Sequence, residues 1–279
     1  MKPLVSVIIP CYNHKRYITD CINSVACQDV DKIELIVIDD CSPDRSYDFI
    51  LQAFDQNRLS RSSFVSCKIM RNEHNIGAHN SLNRGLDSAQ GDYISILNSD
   101  DQYASSRLSK ALAYMKSHSA DFVFTGVQCI DDSSNIISSP GRIFENSLSK
   151  LNHENFNLEF LRRNPAITSG NFVFKRELLK HGLRFRDLKY CHDWDFLLSS
   201  FLAGNVSFID EPLYKYRFHG TNSYKGLSNI ADIETLLVLS EFTYNLYRLD
   251  GFKKLFGGYS NWKRVFGTID NLRRCEVVN

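Results

Sequence analysis

No stretch of this 279-residue sequence approaches the roughly 20 consecutive apolar residues that a transmembrane helix requires. The first apolar run stops at Pro10 and is shorter than the apolar region of a signal peptide. An excess of one charge is also lacking, because 33 Lys and Arg face 32 Asp and Glu, which gives a formal net charge of +1. This balance gives no reason to expect a nucleic-acid-binding surface. The sequence therefore predicts a folded protein that is soluble or at most peripheral to a membrane.

The eight cysteines form neither a CxxC pair nor any other spacing that is typical of a zinc site. Free cysteine is commonly buried as a small apolar residue, and disulfides are rare in reducing compartments. We therefore interpret the cysteines as reduced thiols. They indicate a cytoplasmic protein, with the inner face of the cytoplasmic membrane as a candidate location.

Apolar runs and helical periodicity alternate four times in the first part of the chain. The runs that suit buried parallel strands are at residues 5–9, 34–38, 64–70 and 93–97. Each is followed by apolar residues at helical spacing, near residues 17–25, 47–54, 78–89 and 108–115. This alternation predicts an α/β fold with a doubly wound, mostly parallel, Rossmann-like sheet.

The pattern is less regular after about residue 120. Strands are predicted at residues 122–127, 171–174, 206–209 and 214–218. Helices are predicted from Asp193 to about Gly204 and over residues 230–247. No internal repeat or low-complexity linker separates this part from the first, so any domain boundary near residue 102 is soft.

Polar residues follow three of the predicted strands. Residues 11–13 follow the first strand, residues 39–40 the second and residues 98–101 the fourth. Open α/β sheets bind ligands outside the carboxyl ends of their strands, so these residues are expected to converge. The carboxylates of Asp100 and Asp101 are oxygen ligands that suit Mg²⁺ or Mn²⁺. A solvated turn after a strand is the alternative interpretation.

Two further groups have structural alternatives of their own. Asp39 and Asp40 precede a Ser-Pro pair, so they could begin a helix as well as contact a nucleoside. The Asn and Gly residues at 75–77 and 83–85 are typical of turns and close packing.

Two later clusters contain charged side chains. Asp193 and Asp195 begin a predicted helix, where acidic residues are favoured by the helix dipole. Because they are two positions apart, only one of them is expected to face a site. Arg217 and His219 lie on the same face of an extended strand and could meet a diphosphate. A surface arginine and a structural histidine are the alternative.

Taken in order, these clusters resemble those of family 2 glycosyltransferases with a GT-A fold, from Leu4 to about Ser223. The segments that carry the resemblance are VSVIIPCYN at 5–13, IVIDDCS at 36–42, NIG at 75–77, NRG at 83–85, GDYI at 91–94 and NSD at 98–100. Each pattern is weak alone, whereas their order along one chain is specific. The resemblance implies a GT-A fold with a helical C-terminal extension, similar to bacterial polysaccharide and O-antigen glycosyltransferases.

The resemblance also implies roles for these residues. Asp193 is the implied general base, and Mn²⁺ or Mg²⁺ is the implied cofactor, held by Asp100 with Asp101 and His219. The residues assigned to the nucleotide-sugar site are Pro10, Tyr12, Asn13, Asp39, Asp40, Asn75, Asn83, Asn98, Ser99 and Arg217. Two positions depart from the family pattern: Asn98 replaces the usual first aspartate of the DxD motif, and His192 replaces the more common acid beside the base.

Three parts of the chain follow from the resemblance. Residues 1–101 are expected to form the nucleotide-sugar-binding half and residues 102–224 the acceptor-binding half of the same domain, with residues 225–279 as a helical extension. Residues 248–274 hold seven Lys or Arg against two Asp, interleaved with aromatic residues. Such a segment could contact an anionic membrane surface. A helical cap on the core with a solvated basic face is the alternative.

We therefore expect an inverting, metal-dependent glycosyltransferase of cell-surface polysaccharide synthesis, such as that of lipopolysaccharide. Its expected partners are a UDP- or dTDP-linked sugar donor and a saccharide or lipid-linked saccharide acceptor, and no nucleic acid. A nucleotidyltransferase and a non-catalytic nucleotide-binding scaffold are the alternatives, and Asn98 favours the scaffold. An NAD-dependent dehydrogenase is disfavoured because no GxGxxG follows the first strand.

Overall fold

The computed structural model of the chain describes residues 4–60, 64–138, 160–220 and 228–248. Within these ranges, no helix has the length and apolarity that crossing a membrane requires. The seven cysteines that fall inside the same ranges are all free. The basic aromatic segment is covered only at Arg248, so the prediction for residues 249–274 lies outside the described residues.

The first part of the chain forms parallel strands joined by helices. The strands are β1 (Val5–Cys11), β2 (Ile33–Asp39), β3 (Phe64–Arg71) and β4 (Tyr93–Ile96), and the helices between them are α1 (Ile18–Ala26), α2 (Ser46–Ser60) and α3 (Ala78–Ser88). All of β2 and nearly all of β1 are buried, as β-branched strands of a parallel sheet should be. The strand order is β3-β2-β1-β4.

The second part of the chain completes the sheet with both strand directions. It contains β5 (Gln102–Tyr103), α4 (Arg107–Ser117), β6 (Phe122–Ile130), β7 (Val173–Lys175), α5 (His192–Ala203), β8 (Val206–Arg217) and α6 (Ser228–Arg248), with short 3₁₀ turns at Ser169–Asn171 and Arg176–His181. β7 pairs antiparallel with both β4 and β6, and β8 runs parallel to β6. The eight-stranded order is β3-β2-β1-β4-β7-β6-β8-β5. The predicted α/β, mostly parallel architecture is confirmed.

The two late strands predicted at residues 206–209 and 214–218 are one continuous strand, β8. The register between β6 and β8 slips around Gly126, which faces Pro212. A Cβ atom at Gly126 would lie 2.6 Å from the Glu211 carbonyl oxygen, so the close approach requires glycine. The polar and Pro-containing stretch in the middle of β8 resembles a loop in sequence, but in the fold it is a bulge.

Helices cover both faces of the sheet. Alternation along β1 sends Ile8 to the face covered by α3, α5 and α6, whereas Val7 and Ile9 meet α1 and α2 on the other face. Gly85 allows α3 to lie directly on β1, since a Cβ atom there would lie 2.4 Å from the Ile8 side chain. This packing leaves the carboxyl ends of β1, β2 and β4 together at one edge, where the polar loops are.

Candidate active site

Two histidines and one aspartate converge from three distant loops at this edge. His14 follows β1, Asp100 follows β4 and His219 follows β8, and one potential ligand atom from each lies within 4.8 Å of the others. His219 Nε2 is 2.9 Å and His14 Nε2 is 3.9 Å from the same oxygen, Asp100 Oδ2. The structure therefore brings together two of the residues predicted as metal ligands, Asp100 and His219. It adds His14, which the sequence interpretation had not assigned.

Packing and hydrogen bonds hold the two histidine rings. His14 Nδ1 is 2.8 Å from Ser99 Oγ. The His219 ring stacks on Tyr17 with centroids 5.1 Å apart, and the His14 ring meets His219 edge-on at 5.8 Å. Burial alone would raise the pKa of the Asp100 carboxyl, but the hydrogen bond from His219 and the charges of both histidines lower it on balance. Asp100 is therefore a carboxylate at neutral pH.

The adjacent Asp101 points away from this cluster. Its carboxylate accepts a hydrogen bond from the Tyr214 hydroxyl at 2.5 Å and another from the Arg217 backbone N–H at 2.7 Å. Burial and the neighbouring Asp100 charge raise the pKa of Asp101 well above its usual value. The side chain predicted as a second metal ligand is thus directed into the protein, where it joins the turn after β4 to β8.

Arg217 is placed differently from the predicted contact with a diphosphate. Its side chain is buried, and its three nitrogens donate to the carbonyls of Asp100 and Asp131 and to Ser134 Oγ, at 2.7–3.0 Å. The guanidinium also lies over the Tyr17 ring, 4.9 Å from its centroid. These partners lie within the protein, and through the Asp100 carbonyl Arg217 supports the loop that carries one member of the candidate metal-binding cluster.

Asn98, the residue that departs from the DxD pattern, contacts the protein instead of the cluster. Its Nδ2 donates to Thr168 Oγ1 at 2.7 Å and lies 3.4 Å from Asp101 Oδ2. The amide therefore joins the turn after β4 to the segment that precedes β7. The amide NH₂ group of Asn98 donates a hydrogen bond to the Thr168 hydroxyl oxygen. An aspartate in this position could not donate, because a carboxylate only accepts hydrogen bonds.

Two aspartates at the carboxyl end of β2 differ in their hydrogen bonding: both oxygens of Asp40 accept hydrogen bonds, whereas one oxygen of Asp39 accepts none among the described residues. Asp40 accepts from the Asn72 side chain at 2.7 Å and from the N–H groups of Ile76 and Gly77 at 2.9 Å each. Asp39 is fully buried; its Oδ2 accepts from the Ser42 N–H and is 3.2 Å from Arg71 Nε. Asp39 Oδ1 has no hydrogen-bond partner among the described residues. Asp40 shapes the loop, and Asp39 keeps an unused buried acceptor.

The other residues assigned to the donor site are either open to solvent or used within the fold. Tyr12 is 43% exposed beside Pro10, and Asn13 has a left-handed backbone with φ 59°. Asn75 accepts the Gly77 N–H at 3.1 Å and is otherwise exposed. Asn83 exchanges two hydrogen bonds with the backbone of Phe185, at 2.7 and 3.0 Å, so it joins α3 to the segment before α5.

Asp193 lies in the first turn of α5, where its carboxylate accepts the Trp194 N–H at 2.7 Å. Burial raises the pKa of Asp193, an effect opposed by the charge of His192, the Trp194 N–H and the Asn164 side chain. The Asp195 carboxylate instead forms a bidentate ion pair with the Arg186 guanidinium. The two acids thus face different partners, with Arg186 paired to Asp195.

The sequence interpretation missed His14 because its neighbours gave no metal-binding spacing. His14 and Asp100 are 86 positions apart, and His219 is 119 positions beyond Asp100. The one signal in the sequence was its position, since His14 lies in the loop between β1 and α1 and directly follows residues 11–13, which were expected to face the site.

The fold places the chain among GT-A proteins. The structure of S. aureus TarS 1–349 in complex with UDP-GlcNAc aligns with a TM-score of 0.63 at 22% identity, covering 95% of this chain and 79% of TarS 1–349. The mannosyltransferase PcManGT from Pyrobaculum calidifontis, in complex with GDP-Man and Mn²⁺, aligns with a TM-score of 0.57 at 17% identity, covering 98% and 81%. At these identities the similarity shows the fold alone.

The family follows from the sequence match. The model of glycosyl transferase family 2 matches residues 6–183, and this chain belongs to that family. TuaG of Bacillus subtilis strain 168, whose name places it among teichuronic acid biosynthesis glycosyltransferases, is 40% identical over 127 residues. That match spans 45% of this chain and 47% of the length of TuaG, so it covers about half of each protein. An uncharacterized glycosyltransferase of Methanocaldococcus jannaschii is 29% identical over 80% of this chain and 73% of its own length.

Proposed function

We propose that this protein transfers a sugar, with inversion, from a nucleoside-diphosphate sugar to an acceptor hydroxyl. The observation that carries the proposal is the cluster of His14, Asp100 and His219 at the carboxyl edge of a family 2 sheet. The acceptor oxygen bonds to the anomeric carbon while the bond from that carbon to the diphosphate oxygen breaks. The electron pair leaves with the nucleoside diphosphate, and the acceptor proton passes to Asp193.

The three clustered side chains fit a divalent cation. One carboxylate and two imidazoles are a donor set used for Mn²⁺ and related ions, and the side chains of His14 and Asp100 are 23% and 15% exposed. A bound Mn²⁺ or Mg²⁺ would supply positive charge against the departing diphosphate. Asp100, with His219, is the proposed holder of that ion.

The donor proposed is UDP- or dTDP-linked. Asp39 Oδ1 is buried and has no hydrogen-bond partner within the described ranges, and a buried acceptor of this kind is costly until it is paired. Uracil and thymine each offer one ring N–H, whereas cytosine offers none. Tyr12 follows β1, whose last residue pairs with Asp39 at the end of β2, and its side chain is exposed. It therefore supplies an aromatic face on which the nucleobase can stack.

The acceptor proposed is a saccharide or a lipid-linked saccharide of a cell-surface polysaccharide. The partial match to TuaG supports this class of acceptor. Asp193 is the proposed base, and burial brings its pKa above the usual aspartate value and so closer to neutral pH.

Release of nucleoside diphosphate from a panel of UDP- and dTDP-sugars tests the proposal. Asp193→Asn and Asp100→Ala are expected to lose most of the activity, whereas Asp210→Asn, a change to an exposed aspartate of β8, should retain it. Full activity in both site variants would overturn the site assignment. Release of pyrophosphate would favour a nucleotidyltransferase, and calorimetry that detects no metal-dependent UDP binding would favour the scaffold.

We also propose peripheral contact with the inner face of the cytoplasmic membrane through residues 248–274. The helix α6 leads into this basic segment and exposes apolar side chains: Ile233, Leu236, Leu237 and Tyr244, each 48–70% exposed. Sedimentation with anionic liposomes should be lost on truncation at residue 247. Binding that is unchanged by the truncation, or absent from the full chain, contradicts this proposal.

A further inference from the structure

His14 and His219 approach the same oxygen of Asp100 from opposite ends of the chain. The distances from Asp100 Oδ2 are 3.9 Å to His14 Nε2 and 2.9 Å to His219 Nε2. Two ligands bonded to one ion at about 2.1 Å lie about 3.0 Å apart at a right angle and at most about 4.2 Å apart. Both distances fall below that limit, so each imidazole can share an ion with Asp100, and the three ligand atoms lie within 4.8 Å of one another.

The orientation of His14 suits a metal ligand. Its Nδ1 is engaged by Ser99 Oγ at 2.8 Å, so the nitrogen directed to Asp100 is Nε2. When Nδ1–H donates to the serine, Nε2 carries the lone pair that a metal requires. Metal-binding histidines typically have their other ring nitrogen held in this way. Ser99 is the middle residue of the Asn98-Ser99-Asp100 motif, so the motif itself orients His14.

The site has less negative charge than a motif with two aspartates would provide. Asn98 donates to Thr168 and brings no charge, and Asp101 is turned to Tyr214 and Arg217. One carboxylate and two imidazoles remain around the candidate ion. Mg²⁺ depends on oxygen ligands and their charge, whereas imidazole suits first-row transition ions.

We propose that His14 is a third protein ligand of the metal, and that the resulting set of two histidines and one aspartate selects Mn²⁺ or a similar transition ion over Mg²⁺. The inference deepens the proposed function and uses it only for the location of the ion. A different arrangement, in which both histidines simply hydrogen-bond Asp100 and no ring nitrogen meets an ion, predicts different spectra.

Mn²⁺ binding to the full chain, freed of metal, distinguishes the two arrangements. Pulsed electron paramagnetic resonance of bound Mn²⁺ should show ¹⁴N coupling from two imidazoles in the wild type and from one in His14→Gln. Mn²⁺ should bind the wild type at least about tenfold more tightly than Mg²⁺. His14→Gln should raise the Mn²⁺ Kd by at least about tenfold, since even outer-shell partners of metal ligands contribute about 10–100-fold.

Two more variants make the experiment decisive. His118→Gln is the matched control, because His118 directly follows α4, is exposed and stacks on Tyr114 of that helix. It should leave the spectrum and the Kd values for Mn²⁺ and Mg²⁺ unchanged. His14→Asp replaces imidazole with a second carboxylate and should lower the preference for Mn²⁺ over Mg²⁺ by at least about tenfold. If His14→Gln does not fold, the wild-type spectrum and His14→Asp together still decide the outcome.

A wild-type spectrum with fewer than two nitrogen couplings, or an ion preference that His14→Asp leaves unchanged, would overturn the inference. Nucleoside diphosphate release, measured in parallel, reports on the proposed transfer separately. Transfer with Mn²⁺ in the absence of His14 coupling overturns only this inference. Two nitrogen couplings without transfer from any donor overturn only the proposed function.

Discussion

Glu234 on α6 holds the segment that begins α5, the helix of the proposed base. Its carboxylate accepts three backbone N–H groups, those of Lys189 and Tyr190 at 2.8 Å and that of Cys191 at 2.9 Å. The residue is 9% exposed, so water replaces these bonds poorly. Glu234→Gln keeps one acceptor oxygen and places an NH₂ group against one of the three donors.

The expected destabilisation follows from these bonds. A Gln oxygen can retain two N–H partners without the charge, and the third N–H is left facing a donor. A buried donor without a partner costs about 1–3 kcal/mol, and hydrogen bonds to a charged group are stronger than neutral ones by a similar margin. We expect a loss of about 2 kcal/mol, which corresponds to a decrease in Tm of about 4–8 °C for a protein of this size.

Glu241→Gln on the same helix is the matched control. Glu241 is exposed and pairs with Arg186 at the surface, a type of interaction that contributes at most about 1 kcal/mol. Thermal unfolding of both variants, with kcat and donor KM, gives the comparison. Because α5 carries Asp193, Glu234→Gln should lower kcat by about tenfold with little change in donor KM. A Tm of Glu234→Gln within 1 °C of wild type, or an equal decrease in Tm in both variants, would refute this account of Glu234. A shift of 1 °C corresponds to roughly 0.3 kcal/mol of stability.

The pH dependence of stability adds a second test of Glu234. Burial opposes ionisation, but the three backbone N–H groups lower the pKa of Glu234 below its usual value on balance. A lowered pKa in the folded state gives stability that is present above the unfolded pKa and is lost as the pH falls through the folded pKa. The Tm difference between wild type and Glu234→Gln should therefore be largest near neutral pH and should shrink in acid, below the usual glutamate pKa.

Three further changes have defined outcomes. Asp40→Asn should cost about 2 kcal/mol in chemical unfolding, because one of the loop N–H groups that the carboxylate accepts would face an amide donor; a cost below about 0.5 kcal/mol would contradict its role as the anchor of that loop. Asn83→Ala removes two hydrogen bonds to the segment before α5 and should cost about 1–3 kcal/mol, with the exposed Asn75→Ala as a near-neutral comparison. Because burial raises the pKa of Asp193 above the ordinary aspartate value of 3.8, kcat/KM should fall in acid with a midpoint at a pH above 3.8. A midpoint at or below pH 3.8 would argue against Asp193 as the base.

The regular elements of the first half could be predicted from the sequence because local patterns specify them. Strands at residues 5–9 and 64–70 and a helix at 78–89 were predicted, and the structure has Val5–Cys11, Phe64–Arg71 and Ala78–Ser88. Fully buried parallel strands and amphipathic helices have distinct periodicities, so neighbouring residues contain enough information. The order of the weak motifs was likewise readable, and the match to the family model bears out the resemblance.

The direction of β7 depended on the tertiary structure. β7 is only three residues long, and it enters the sheet antiparallel between β4 and β6. A strand this short carries little pattern of its own, and its partners are about 50 and 80 positions away in sequence. Long-range backbone pairing decides its direction, and a local pattern contains no record of that pairing.

The turn from Asn98 to Asp101 shows the same division at the level of side chains. The sequence placed this turn after a buried strand and thereby predicted that it would face a ligand. Which carboxylate faces outward was decided in the folded structure, where Tyr214 and the Arg217 N–H draw Asp101 inward and Asp100 meets two histidines. Strand ends are determined by local hydrophobic pattern, whereas a polar cluster is formed by contacts among residues that only the completed sheet brings together.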